Sequence, residues 1–307
     1  MKKTGLSLAL VVLLPLSVFL AAGCPRPAVE PPGVLVLSTT TSLYDTGLLG
    51  YLEPIFEERY NVDLRIISAG TGIAIRYAER GDVDVLLVHD RAREDKFVED
   101  GYGVNRRCIA YNFFLIVGPA DDPAGVRGMS PEDAVTRLME AGIKDSQIRF
   151  VSRGDDSGTH AMEIAIWVSA GHDYEMVRRS GPWYVEAGAG MGATLRMANE
   201  KSAHTLVDIG TFLAFAGELD IVPLVEEGEI LFNPYGVIAV NPQLHPHVNF
   251  EMANNFINFL LSEETQQRIG EFGVAEHGRP LFFPLAGDCQ RKGCPTWEEC
   301  LLPADGR

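Results

Sequence analysis

The chain is 307 residues long and 46% hydrophobic, enough apolar material to bury the core of two α/β lobes or of one large domain. Its 26 Lys and Arg face 42 Asp and Glu, a formal net charge of −16. That balance excludes a nucleic-acid binder, whose phosphate contacts need a basic footprint. It also means that any anion bound here is held by local donors against the global field.

The chain opens on an export signal. Lys2 and Lys3 form a basic start, an apolar run covers residues 6–22 with Pro15 inside it, and Ala21, Ala22 and Gly23 give a small-residue exit. A run this long is close to that of a permanent membrane helix, but the small-residue exit and the following Pro25, Pro27, Pro31 and Pro32 favour cleavage. The Leu-Ala-Ala-Gly-Cys ending at residues 20–24 resembles a bacterial lipobox, with Ala21 where that motif usually has Leu. Residues 1–23 therefore read as a signal peptide and residues 24–33 as lipidated Cys24 followed by a tether. The expected location is exported, periplasmic or on the outer face of the cytoplasmic membrane, held by lipid. Loss of Lys2 and Lys3 takes the formal charge from −16 to −18.

After the tether, residues 34–37 form a strand-like apolar run and residues 38–42 a polar loop. Residues 48–60 have helical spacing, 62–67 read as a strand, 68–72 as a polar turn, 73–80 as a helix and 83–88 as a strand. This alternation is the signature of a parallel α/β sheet. Residues 108–117 read as a long strand, 131–141 as a helix with Ser130 as its N-cap, and 148–151 as a strand running into a loop at 152–159. Helices follow at 163–170 and 194–201, a strand at 235–240 and a helix at 254–269. The apolar segments at 108–117 and 231–240 flank the middle of the chain and are expected to cross between two lobes, with a ligand in the cleft. The first lobe would comprise residues 34–117 plus 235–285, the second 118–234, and a Cys-containing tail 286–307. Cys108, Cys289, Cys294 and Cys300 suit disulfides in an oxidising compartment, with three pairings open; the spacing lacks the C-x2-C of a zinc site.

The chemistry concentrates in three loops. Ser-Arg-Gly-Asp-Asp-Ser-Gly-Thr at 152–159 follows a strand and opens a helix, where unpaired N–H groups and the helix dipole suit an anion. Gly158 allows close approach, Ser157 and Thr159 add hydroxyls, and Arg153 supplies a permanent counter-charge. Asp155 and Asp156 are placed to aim the arginine and the loop. An ordinary capped helix start would need neither the glycine nor the arginine. Thr39, Thr40, Thr41 and Ser42 form a second donor-rich turn, and Ser68 and Thr71 belong to a third in the equivalent place after the next strand. All three fall at the carboxyl ends of strands, where open α/β sheets bind ligands. A Gly-rich stretch at 188–194 lacks both the P-loop ending and the dinucleotide spacing, and reads equally as a turn or as a ligand contact. Ser157 and His160 do not face each other on a helix start, and no G-x-S-x-G elbow surrounds Ser157. His160 with Glu163 is the pattern of surface structure more often than of metal ligation, and His245 and His247 read as solvated turn.

Four motifs in order resemble one family: Thr-Thr-Thr-Ser at 39–42, the 152–160 segment ending in His160, Gly-Met-Gly-Ala-Thr-Leu-Arg at 190–196 and Asn-Pro-Tyr-Gly-Val-Ile-Ala-Val-Asn-Pro at 233–242. They are similar to the tungstate-binding proteins of ABC uptake systems, the TupA type, over residues 35–284. Residues 153–159 also resemble the Arg-x-Asp-Gly-Ser-Gly-Thr segment of phosphate-binding proteins. The resemblance implies an α/β type II periplasmic-binding-protein fold, two α/β lobes joined by two crossover strands with the ligand in the cleft. It implies tungstate delivery to an ABC permease, no cofactor, no catalysis and a monomer. Carried over position by position, the oxyanion ligands would be Thr40, Thr41, Ser42, Ser68, Thr71, Arg153, Ser157, Gly158 and Thr159. The family usually has Arg where this chain has Ile209, and the tail after Pro284 goes beyond the family pattern. Tungstate is a tetrahedral dianion that only accepts hydrogen bonds, which suits a site of N–H, O–H and guanidinium donors; molybdate has the same shape and charge. The alternatives are a binder of molybdate or another tetrahedral oxyanion, a sensor of the same anion, and an enzyme acting on phosphate or acyl groups through Ser157 and His160.

Overall fold

The computed structural model describes residues 33–286. The signal peptide, Cys24 with its tether, and the cysteines of the tail lie outside the described residues. In chain order, β1 (Gly33–Thr40) leads to α1 (Thr41–Asp45) and α2 (Leu48–Tyr60), β2 (Val62–Ala69) to α3 (Thr71–Glu79), and β3 (Val85–Val88) to α4 (Arg91–Glu99). Next come β4 (Gly103–Gly118), α5 (Pro131–Lys144), β5 (Phe150–Ser152), α6 (Gly158–Ser169), α7 (Tyr174–Val177), β6 (Tyr184–Glu186) and α8 (Met191–Glu200). The chain finishes with β7 (His204–Asp208), α9 (Ile209–Phe215), β8 (Val222–Val225), β9 (Phe232–Val240), α10 (Phe250–Leu261), α11 (Glu263–Glu271), α12 (Val274–His277) and β10 (Phe283–Pro284).

The strands form a 10-stranded sheet in the order β2-β1-β3-β9-β4-β7-β5-β6, with β8 and β10 also paired to β4. It is mixed, not parallel as the strand-turn-helix alternation implies. β1 is parallel to β2 and β3, and β5 to β6 and β7. β9, however, runs antiparallel to β3 and β4, and β4 antiparallel to β7 and β8. The antiparallel pairs sit where the two parallel halves meet. β4 belongs to both halves: residues up to Phe113 pair with β9, and Phe114 to Val117 pair with β7.

Each half buries its own apolar clusters. In the first, Leu35, Phe56, Phe256 and Phe259 pack on one face and Ala74, Phe97 and Ile238 in another cluster. Phe56 meets Phe256 edge-on at 5.0 Å, a geometry worth about 0.5–1.5 kcal/mol beyond burial. In the second half, Phe114, Trp167 and Trp183 form one cluster and Met191, Leu195 and Val207 another.

Local chemistry explains the element ends. Ser130 caps α5 as its sequence predicts, accepting the Asp133 N–H at 3.2 Å, with Pro131 in the first turn. The single helix expected over 254–269 is two, because Ser262 takes extended backbone and accepts the Thr265 N–H at 3.3 Å, capping α11 afresh. The polar loop expected at 38–42 is also shorter than its composition suggests: β1 continues through Thr40 and α1 starts at Thr41. Likewise β2 carries on to Ala69, leaving Gly70 as the whole turn before α3. Cys108 is fully buried and disulfide-bonded. Among the described residues no helix is long and apolar enough to cross a membrane.

Candidate functional site

α1, α3, α6 and α9 each start within a few residues of the carboxyl end of a strand, and because the parallel strands of the two halves run in opposite directions, their unpaired N–H groups face each other where the halves meet. The predicted residues meet there across the two halves. Arg153 Nη2 lies 3.4 Å from Thr41 Oγ1. The Gly158 N–H donates to Thr71 Oγ1 at 2.8 Å, and the Gly72 N–H reaches the Asp156 carbonyl at 3.4 Å. Ser42 Oγ stands 3.5 Å from Thr40 Oγ1. Ser68 is the exception. It is half-buried in β2 opposite Thr39 and makes no side-chain hydrogen bond among the described residues.

The 152–159 loop is strongly preset. Arg153 is only 2% exposed, and its guanidinium forms an ion pair with Asp155, with Nε at 3.1 Å. Asp155 also accepts the Ser157 N–H at 3.2 Å, so it aims the arginine as the sequence suggests. Asp156 has a different partner. It sits at a left-handed φ of 59° and pairs with Arg93 of α4, which ties the loop to the other half. Gly154 has φ 58°, and a Cβ there would come within 2.8 Å of Glu186 Cβ, so only glycine makes this turn. Ser157 is the N-cap of α6 and accepts the His160 N–H at 3.2 Å. Thr159 Oγ1 is buried and has no hydrogen-bond partner among the described residues. A buried hydroxyl left unpaired costs about 1–3 kcal/mol, which a hydrogen-bond acceptor bound beside it would recover. Nearby Asp45 is exposed at its residue surface but partly desolvated at its carboxyl. Burial raises its pKa and the Arg153 charge opposes that rise.

Residues 27–264 match the model of the PBP superfamily domain. The tungstate-binding protein TupA of Peptoclostridium acidaminophilum is 42% identical over 257 residues, covering 84% of this chain and 87% of the relative. The chain belongs to the TupA family. Among solved structures, the tungstate ABC transporter protein from Geobacter sulfurreducens superposes with a TM-score of 0.69 at 46% identity, over 78% of this chain and 98% of that one. The tungstate-binding protein TupA of Desulfovibrio alaskensis G20 gives 0.68 at 41% identity, over 82% and 98%.

This TupA-family chain carries a residue at the site that the sequence reading passes over. His89 follows β3 directly and lies between the loops of the two halves, against Ser42 and Gly158. It is 5% exposed, with Nε2 2.9 Å from Ser42 Oγ and Nδ1 2.8 Å from Asn233 Oδ1. A Cβ on Gly158 would fall 3.1 Å from His89 Cε1 and 3.2 Å from Thr71 Oγ1, so Gly158 permits the close approach of α6 to both. A lone histidine ending the strand Val-Leu-Leu-Val at 85–88 was the available signal. A cavity of 340 Å³ opens beside it, with His89, Asp90, Gly158, Met162, Phe232 and Asn233 among its lining.

Other expectations resolve differently. The His160 ring turns away from Ser157: Nδ1 accepts the Asp156 N–H at 3.2 Å and Nε2 meets the Tyr174 hydroxyl. Glu163 is not surface structure. It is 2% exposed, accepts from Tyr184 OH and from Trp167 Nε1 at 3.2 Å, and burial pushes its pKa up to about 7. In the 188–194 stretch, Thr194 Oγ1 bonds back to the Gly190 carbonyl at 3.1 Å, and Arg196 turns to Glu218 and the Phe215 ring. Ile209 packs with Met191 and Val207 in an apolar cluster, so that position supplies no cation to the cleft. His245 and His247 are not simply solvated; each ring bonds a backbone carbonyl, of Glu79 and Gly81 respectively, at 2.9 Å.

Proposed function

We propose that this protein captures tungstate outside the cytoplasm and hands it to an ABC permease in the membrane. The observation that carries this reading is the buried, unpartnered Thr159 hydroxyl in the first turn of α6, following the loop that carries buried Arg153, in a chain whose close relatives are named for tungstate. The donors are the hydroxyls of Thr40, Thr41, Ser42, Ser68, Thr71, Ser157 and Thr159, the Gly158 turn and the Arg153 fork. Residues 34–117 with 235–285 and residues 118–234 act as two lobes that close on the anion, with β4 running through both. The contacts of Asp156 with Arg93 and of Gly158 with Thr71 support such a closure. Lipidated Cys24 holds a monomer at the membrane surface, and transport uses the site without a cofactor. Catalysis is not part of the reading, because the His160 ring is engaged away from Ser157.

Molybdate is the second reading, since it matches tungstate in shape and charge. Competitive calorimetry with tungstate, molybdate, sulfate and phosphate tests both. Tight tungstate binding is expected, with a rise in melting temperature equivalent to about 2.7 kcal/mol at a ligand concentration of about 100 Kd. Absence of binding by tungstate and molybdate alike refutes the oxyanion reading. Preference for molybdate replaces the first reading with the second.

A further inference from the structure

A chain of buried side chains runs behind α1, and its hydrogen-bond direction is fixed at one end. Asp208 Oδ1 accepts the backbone N–H of Thr211 at 2.9 Å, so the Asn112 atom 3.3 Å from that oxygen is the amide nitrogen. Asn112 Oδ1 then faces Asn233, whose Nδ2 donates to it at 2.7 Å. Asn233 presents Oδ1 to His89 Nδ1 at 2.8 Å, so Nδ1 carries a proton. In a neutral imidazole Nε2 is then bare, and it accepts the Ser42 hydroxyl proton across 2.9 Å.

While the ring is neutral, Ser42 therefore offers lone pairs to its other neighbours and keeps its proton on His89. Its hydroxyl lies at the start of α1, next to the Thr41 that meets Arg153. The Nε2 edge of His89 also approaches the start of α6, where a Gly158 Cβ would lie 3.2 Å from it. A dianion at these helix starts would meet an acceptor at Ser42. A proton on Nε2 reverses the bond: Nε2–H donates to Ser42 Oγ, and the Ser42 proton is released to donate to the anion.

We propose that His89 is a positioning residue of the anion site, taking up one proton from solvent as the dianion binds and so turning the Ser42 hydroxyl from acceptor to donor. The proposal rests on the oxyanion reading above. Besides the anion's own binding, only protons move: one goes from buffer to Nε2, and the Ser42 hydroxyl reorients. The groups around the ring fit this balance. Asp208, Asp90 and Asn233 favour the imidazolium, while Arg153 and burial oppose it, and the Phe114 and Tyr235 rings pack against it at 5.9 and 5.0 Å. Burial is the largest influence and holds the pKa of His89 below its ordinary value, so the free protein carries the ring neutral at neutral pH. A bound dianion adds to the side of Asp208 and Asp90 and raises it. Affinity is then greatest at lower pH and falls as pH rises, by at most about tenfold per pH unit for a single proton.

Calorimetric titration of the folded protein with tungstate, in two buffers of different ionisation enthalpy between about pH 6.5 and about pH 8.5, tests it. The expected result is a buffer-dependent enthalpy corresponding to net proton uptake, with affinity declining toward alkaline pH. His89→Gln should abolish both. Ser42→Ala should weaken binding at the acid end and leave it nearly unchanged at the alkaline end. Tight binding with a buffer-independent enthalpy overturns the proton relay and leaves the oxyanion reading standing. Wild-type proton uptake in His89→Gln overturns it as well. No tungstate binding at any pH overturns both. The wild-type measurement decides the matter even where a variant does not fold.

Discussion

Two polar networks back the two helix starts, and they end differently. Behind α1, Asp208, Asn112, Asn233 and His89 run to the Ser42 hydroxyl, a group at the site itself. Behind α6, Glu163, Tyr184, Tyr174 and His160 run to the backbone N–H of Asp156, which belongs to the loop and not to the donor set. Each contains a buried ionisable group shifted by the same cause with opposite sign. Burial favours the neutral form, so the pKa of His89 goes down and that of Glu163 goes up to about 7. One network therefore sets the direction of a ligand-facing proton while the other sets the shape of a loop. Perturbing the first should show in binding, and perturbing the second in stability.

Arg153→Ala gives the largest expected effect, because it removes the charge that neither network supplies. Arg153 is buried and paired with Asp155, so the substitution both deletes the counter-charge and leaves Asp155 facing the anion uncompensated. Truncating one partner of a buried charge pair costs about 2–5 kcal/mol of binding. Calorimetry should register that loss while circular dichroism shows the fold retained. Affinity within a factor of two of wild type would move the site away from the 152–159 loop. Arg153→Lys should rescue only partly, since a point charge does not reproduce the fork.

Glu163→Gln tests the other network. Burial raises the pKa of the folded carboxyl from its ordinary 4.5 to about 7. Its contribution to stability is fully present below the unfolded pKa and is lost as pH rises from that value through the folded one. The amide stays neutral throughout, and its oxygen can accept from Tyr184 and Trp167. Glu163→Gln should therefore melt close to wild type in mild acid and above it at alkaline pH, by up to about 3 kcal/mol. Tungstate affinity at a fixed pH should change little. A large affinity loss with unchanged stability would erase the distinction between the two networks.

Much of this was legible in the sequence, and the gaps have physical causes. The 152–159 segment announced itself because an anion-binding helix start needs glycine, hydroxyls and arginine together within one turn. Ser130 was readable as a cap because capping is local. The antiparallel pairings of β4 and β9 were not, because strand direction is set by which distant strands pair, and periodicity reports only burial. The burial of Glu163 is not legible locally, because a carboxylate on a helix is ordinarily solvated and its burial depends on Trp167, one turn along, and on Tyr184 from β6. The role of His89 is not legible either, because a single histidine after an apolar strand has no local motif. Its partners Ser42 and Asn233 lie 47 and 144 residues away.

Gly158→Ala is the smallest of these perturbations, and it probes the place where the networks come closest. The new methyl would sit 3.1 Å from His89 Cε1 and 3.2 Å from both His89 Nε2 and Thr71 Oγ1. His89 is held at both ring nitrogens and Thr71 accepts the residue 158 N–H, so neither can withdraw without losing a hydrogen bond. The start of α6 must shift instead, by a few tenths of an ångström. Overpacking of this kind costs about 1–3 kcal/mol, and the lower end is expected here because the loop is at the surface of the cleft. The shift should appear as a modest fall in melting temperature together with a loss of tungstate affinity that is larger at acid pH, where the Ser42 donor geometry matters. An affinity loss equal at all pH values would mean that the methyl disturbs Thr71 and the helix start alone, and that the His89 edge is not part of what the anion senses.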